Sequence, residues 1–164
     1  MRFLLPFLTL LSAGLLTGCG LQPVYSGGSQ GAAAGLLGSV EVLPIADQAG
    51  FLVRDRLLQR LPTPSSPRYR LQVVLADDII GFGVRGDNSI IRERRTLRAR
   101  YRLIDAATDE VLLDESASSD SGIDVVSSEY AVVAAETTAL ERLAGEIADR
   151  IVARLALYGR DGGA

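Results

Sequence analysis

The stretch Ser89-Ile90-Ile91-Arg92-Glu93-Arg94-Arg95-Thr96-Leu97-Arg98-Ala99-Arg100-Tyr101-Arg102-Leu103-Ile104-Asp105 decides how this chain folds. Leu97, Ala99, Tyr101 and Leu103 fall on one parity. Arg92, Arg94, Arg98, Arg100 and Arg102 fall on the other, interrupted only by Thr96. A period of two puts the apolar set on one side of a strand and the arginines on the other, whereas helical spacing would spread the five arginines around a cylinder. At about 3.3 Å per residue, the arginine row spans roughly 33 Å. Guanidinium suits two-point binding of phosphate or carboxylate, but any half-buried strand also turns polar residues outward. The row reads either as a solvated face or as an anion or partner contact.

Working outward, Asp105 to Asp109 is a hairpin loop into a further strand, Glu110 to Ser118. Pairing Leu103 with Val111 would add Val111, Leu113 and Ala117 to the inner face and set Arg100 opposite Asp114. On the other side, Gly86-Asp87-Asn88 reads as a turn, and Ile79 to Val84, loosened by Gly81 and Gly83, fits a bulge, a strand end or a mobile loop. Arg68 to Leu75 alternates with Tyr69, Leu71, Val73 and Leu75 inward, and is a second strand. Ser39 to Ile45 is β-rich and forms a first strand, with Pro44 marking an edge or an end. Between them, Phe51 to Leu61 carries apolar residues at 53, 57, 58 and 61, a helical spacing stopped by Pro62 and Pro64.

Ser116 to Ser128 is polar and reads as a loop. From Val132 to Leu157, apolar positions 133, 140, 143, 144, 147, 148, 151 and 155 keep a three-and-four rhythm, with Glu146 and Arg150 as an i,i+4 pair. The polar side of this helix mixes charge signs, which suits packing on a sheet better than lying on a membrane. The expected fold class is α+β: two amphipathic helices on one face of a mostly antiparallel four-stranded sheet, the other face polar.

The chain begins with Arg2, an apolar run from Phe3, and Leu16-Thr17-Gly18-Cys19, which closes on the only cysteine. About 14 apolar residues broken by Pro6 are too few for a spanning helix, which needs about 20, and the whole has the anatomy of a secretory signal. Leu16-Thr17-Gly18-Cys19 resembles a bacterial lipobox, whose cysteine receives diacylglycerol and becomes the mature amino terminus. The alternative is an ordinary signal peptide with an incidental cysteine. The expected organisation is 1–18 signal peptide, 19–38 lipidated flexible tether, 39–158 folded domain and 159–164 frayed tail. The glycine-rich, uncharged tether is a coil of roughly 24 Å.

With 17 basic against 20 acidic residues the chain is acidic overall, which argues against a general nucleic-acid binder. Every basic residue is arginine, and there is no histidine. Ser-His and Cys-His catalysis and His/Cys zinc sites are therefore excluded. Asp77-Asp78 and Asp114-Glu115 read as surface charges, and Gly81-Phe82-Gly83 lacks the spacing of a phosphate loop. No catalytic set, metal or cofactor is expected.

Three segments carry a resemblance to the lipopolysaccharide-assembly lipoprotein family, LptE, in its alphaproteobacterial form. They are Cys19-Gly20-Leu21-Gln22-Pro23-Val24-Tyr25, similar to a Cys-Gly-aromatic-x-Pro-Leu-Tyr start; Val40-Glu41-Val42-Leu43-Pro44-Ile45 before the Arg-rich helix; and Tyr130-Ala131-Val132-Val133-Ala134-Ala135-Glu136 leading to Leu143-Ala144-x-x-Ile147. They run in order from 19 to 157. Leu21 replaces the commoner aromatic, and Thr137-Thr138 lacks acidic residues often found there. The resemblance implies a two-helix, four-stranded domain anchored through Cys19 on the periplasmic side of the outer membrane. It further implies a role in plugging and assembling the LptD β-barrel translocon and contacting lipopolysaccharide, with the five arginines as candidate contacts. It implies no enzymatic activity and no nucleic-acid partner. The competing reading is a generic periplasm-facing envelope lipoprotein with a structural or ligand-binding role.

Overall fold

In a computed structural model of the protein, the described residues are 31–84 and 90–162. Cys19, the expected signal peptide, most of the expected tether and the expected turn at Gly86-Asp87-Asn88 lie outside them. The elements run α1 (Ala32–Leu37), β1 (Val40–Val42), α2 (Asp47–Arg60), β2 (Tyr69–Val84), β3 (Ile90–Asp105), β4 (Val111–Asp124) and α3 (Glu129–Arg160). The sheet order is β1-β2-β3-β4. β1 is parallel to β2, and the other two pairings are antiparallel. A parallel step needs a crossover, and α2 supplies it.

Leu97, Ala99, Tyr101 and Leu103 are all buried, as their parity requires. They meet Leu71 and Val73 of β2 beneath Leu140, Leu143, Ile147, Ile151 and Leu155 of α3, while Val53 and Leu57 of α2 close the side next to β1. The 32 residues of α3 extend about 48 Å at about 1.5 Å per residue, close to the roughly 53 Å of a 16-residue strand, so one helix runs the length of the sheet. Leu61 is extended, as a residue before proline must be, and ends α2.

Several details differ from the sequence reading. Ile79 to Val84 is the continuation of β2, because β3 offers partners opposite all of it but Gly83, including Ile80↔Arg94 and Phe82↔Arg92. Gly83 absorbs the local distortion at φ 77°. Ser116 to Asp124 is likewise strand: its residues pair with Arg92 to Arg100, and small serines fit under the helix where larger side chains would not. Leu103 pairs with Leu113, and an irregularity between Leu103 and Ile104 takes up the extra residue. The slip from Val111 is two residues, so Leu113 and Ala117 keep the inner face, while Val111, beyond the irregularity and opposite Ile104, loses the inner place that the sequence reading gave it. Leu113 is buried and Val111 is exposed.

The tether region ends in a helix. Leu36 and Leu37 of α1 are buried with Ala33, because three-and-four spacing puts all three on one helical stripe. Its partner is Gly159, expected in the frayed tail but helical and buried, where a Cβ would stand 3.1 Å from both Ala33 Cα and Leu36 Cβ. Val133 stays exposed, since α3 there passes over polar side chains of β3. Arg142, not Arg150, is the i,i+4 partner of Glu146, and Arg150 donates to the Ser118 carbonyl.

Candidate functional site

The outer face of the sheet is laid down in three columns. β2 contributes Gln72, Val74, Ala76, Asp78, Ile80 and Phe82, β3 contributes the arginines, and β4 contributes Asp114, Ser116, Ser118, Asp120, Gly122 and Asp124. All five sequence-nominated arginines stand together on this face, so the alternation that built the strand also built the row.

The row is compensated from within the chain. Arg92 Nε donates to Asp124 at 3.0 Å, Arg98 Nη1 to Asp78 at 3.0 Å, and Arg102 Nε to Asp114 at 3.0 Å. Arg100 makes a two-point pair with Asp114, both contacts at 2.9 Å. That pair matches the sequence expectation, though it is reached diagonally because Arg100 sits opposite Ser116. Hydrogen bonds from Arg100 and then Arg102 hold the Asp114 carboxyl below the ordinary carboxylate range. Arg94 differs: its nearest carboxylate, Asp120, is 3.9 Å away, and its guanidinium lies 5.3 Å from the centroid of the Phe82 ring. At this exposure water screens each pair, so the network orders the side chains more than it stabilises the fold.

Beside the arginines runs a bare apolar column. Val74 and Ile80 are each 64% exposed, and Phe82 is 38% exposed. A shallow depression of about 260 Å³ is lined by Gln72, Val74, Arg100 and Arg102. Sequence reading missed this column, although the alternation of β2 extended through Ile80 and Phe82 would have revealed it.

On the inner face, past Leu97, the core gives way to polar side chains that parity alone would have shown. Arg95 grips Asp77 through two contacts, 2.9 Å and 2.5 Å, and donates from Nη1 to the Glu136 carbonyl at 2.9 Å. Burial, and then the nearby Glu136 carboxylate, push the Glu93 carboxyl above its usual range. Ser119 donates to Glu146, and Arg142 donates to Ser121. These contacts tie α3 to the polar stretch of the inner sheet face by hydrogen bonds, alongside the buried Leu140 and Leu143.

None of the described helices is long and apolar enough to cross a membrane. An uncharacterized protein of Rickettsia prowazekii (strain Madrid E) is 27% identical over 158 residues, covering 96% of this chain and 98% of its own. Among solved structures, a protein of Caulobacter crescentus CB15 superposes with a TM-score of 0.64 at 22% identity, over 77% of this chain and 95% of that one. Rare lipoprotein B from Shewanella oneidensis gives 0.61 at 11% identity, over 77% and 98%. At these identities the likeness is one of fold. A family model for LptE, described as lipopolysaccharide-assembly, matches residues 37–155, from the end of α1 into the last turns of α3. That match covers most of the chain, and the chain therefore belongs to the LptE lipopolysaccharide-assembly family.

Proposed function

We propose that this chain is an outer-membrane lipoprotein, anchored through Cys19 and facing the periplasm, that plugs an LptD-type β-barrel and assists lipopolysaccharide transport through it. The observation that carries this reading is the family match across 37–155. The outer sheet face supports it: barrel lumens are polar, and a face on which four of the five arginines are matched by its own aspartates can enter a confined polar space with little unpaired charge. The work is assembly and ligand handling rather than catalysis, and the outer face is the surface that meets the barrel wall or lipopolysaccharide.

The test is mild-detergent extraction from native outer membranes, followed by identification of copurifying proteins. A large β-barrel protein recovered in stoichiometric amount is expected. Recovery of the lipoprotein alone would overturn the plug reading and leave a generic envelope lipoprotein. In the same preparation, intact mass should place acyl chains on Cys19, and Cys19→Ser should release the domain from the membrane.

A further inference from the structure

We infer that the free edge of β2, from Leu75 to Phe82, takes an added β-strand. Its occupant is an extended segment of the barrel partner in which apolar residues flank a basic one at alternate positions. The inference deepens the proposed function and rests on that reading.

The backbone sets the edge. β1 covers β2 only as far as Leu71, where the Leu43 amide donates to the Leu71 carbonyl at 3.1 Å, and the chain then leaves the sheet for α2. The Tyr69 amide also points to this side, donating to the Ser39 carbonyl at 3.1 Å. By strand alternation, the N–H and C=O groups of Val73, Leu75, Asp77, Ile79 and Gly81 point the same way, while the residues between them bond to β3. Among the described residues, no backbone group meets them there. A slot of about 460 Å³ between Leu43 to Asp47 and Gln72 to Leu75 leaves room where the added strand would end.

The two edges of the sheet are treated differently. On β4, Arg150 of α3 donates to the outward Ser118 carbonyl, and Arg154 pairs with Glu115 at 3.0 Å. The outer side chains of β4 are polar, with Asp114, Ser116, Ser118 and Asp120 in succession, a composition that discourages further pairing. Along β2 the side chains are apolar and bare on both faces: Val74 and Ile80 are each 64% exposed and Ile79 is 42% exposed. An open ladder beside such side chains is a template for another strand, with main-chain bonds giving affinity and alternate side chains giving selectivity.

Charge selects the occupant. Arg95 binds both oxygens of Asp77, whereas Arg98 binds one oxygen of Asp78 at 3.0 Å and leaves that side chain 54% exposed. A second copy laid antiparallel on this edge would set Asp78 opposite Asp78, or opposite Val74, Ala76, Ile80 or Phe82. A strand from another protein, with a basic residue opposite Asp78 and apolar residues opposite Ala76 and Ile80, meets neither conflict. A closed barrel has no free strand edge, so the added strand is a loop or terminal segment in the lumen and not part of the wall.

The experiment compares residue-resolved amide exchange in the full mature lipoprotein, alone in detergent and in the complex copurified from native outer membranes. The Leu75, Asp77, Ile79 and Gly81 amides are expected to exchange freely in the isolated chain and to slow at least tenfold in the complex. Ile79→Pro removes one outward donor without removing a bond to β3, and should lower barrel recovery severalfold. Ile80→Glu, at an exposed position, should do the same. Ser118→Pro makes the equivalent change on the β4 edge and should retain the barrel. Thermal melts check that each variant is folded. Protection already present in the isolated chain, through its own tether or a second copy, would overturn the inference, as would Ser118→Pro losing as much barrel as Ile79→Pro. A copurifying barrel that leaves the β2 amides open overturns strand addition alone and leaves the plug reading standing. The absence of any copurifying barrel overturns both.

Discussion

Arg95 and Arg100 lie on the same strand and each grips an aspartate through two contacts, yet they differ in what they are worth. Arg100 faces outward and is 64% exposed. The Arg95 side chain is 12% exposed and Asp77 24%. Removing one partner of a largely buried pair strands the other charge, so Arg95→Ala is expected to cost about 2–3 kcal/mol in urea denaturation, and Arg100→Ala distinctly less. Glu93 gives a pH signature of opposite sense to the outer face. Its carboxyl is raised in the fold by burial and by Glu136. Its favourable contribution is therefore fully present below the unfolded value of about 4.3 and is lost as pH rises through the raised folded value. Glu93→Gln should flatten that slope and raise the melting temperature at neutral pH, which melts taken between about pH 4 and pH 7 will read. Asp114 is depressed, so its contribution is present above the ordinary carboxylate range and is lost on acidification.

At the scale of the elements, two glycines of α3 should respond in opposite directions. Gly145 faces open space apart from Arg60 Nη2 at 3.9 Å from a built Cβ. Gly145→Ala should stabilise the protein by roughly 0.5–1 kcal/mol through helix propensity. Gly159 is the seat of α1, and Gly159→Ala has the same propensity gain but must push a methyl to 3.1 Å from Ala33 and Leu36. The expected result is lost amide protection at Leu36 to Ser39 in hydrogen exchange, with net destabilisation. Ile147, fully buried at the middle of α3, is expected to cost about 2–5 kcal/mol on truncation to alanine.

Across the whole molecule, α3 touches β3, β4, α1 and α2, and α2 in turn touches β1 and β2, so each strand is tied to the long helix directly or through α2. Unfolding should be one cooperative transition, with the same midpoint by far-ultraviolet circular dichroism and by hydrogen exchange of β3 amides. Two separated midpoints would contradict that coupling. The sequence by itself determined the strand containing Leu97 to Leu103, the outward arginine row, the amphipathic stretch from Leu140 to Leu155 and the breaks at Pro62 and Pro64. Each is carried by a local period or a backbone restriction, which needs no knowledge of the rest of the chain. Only the tertiary structure decided that Ser116 to Asp124 and Ile79 to Val84 are strand, because glycine and serine have weak intrinsic preference and take the conformation that β3 offers across the ladder. It likewise decided that Ala33, Leu36 and Leu37 belong to the core, since burial there requires the side-chain-free surface of Gly159, more than a hundred residues away. The identity of the outer arginines was local, but their state was not. Which of them is gripped by an aspartate, and that Arg94 instead stands 3.9 Å from Asp120 and over the Phe82 ring, depends on the register of two neighbouring strands.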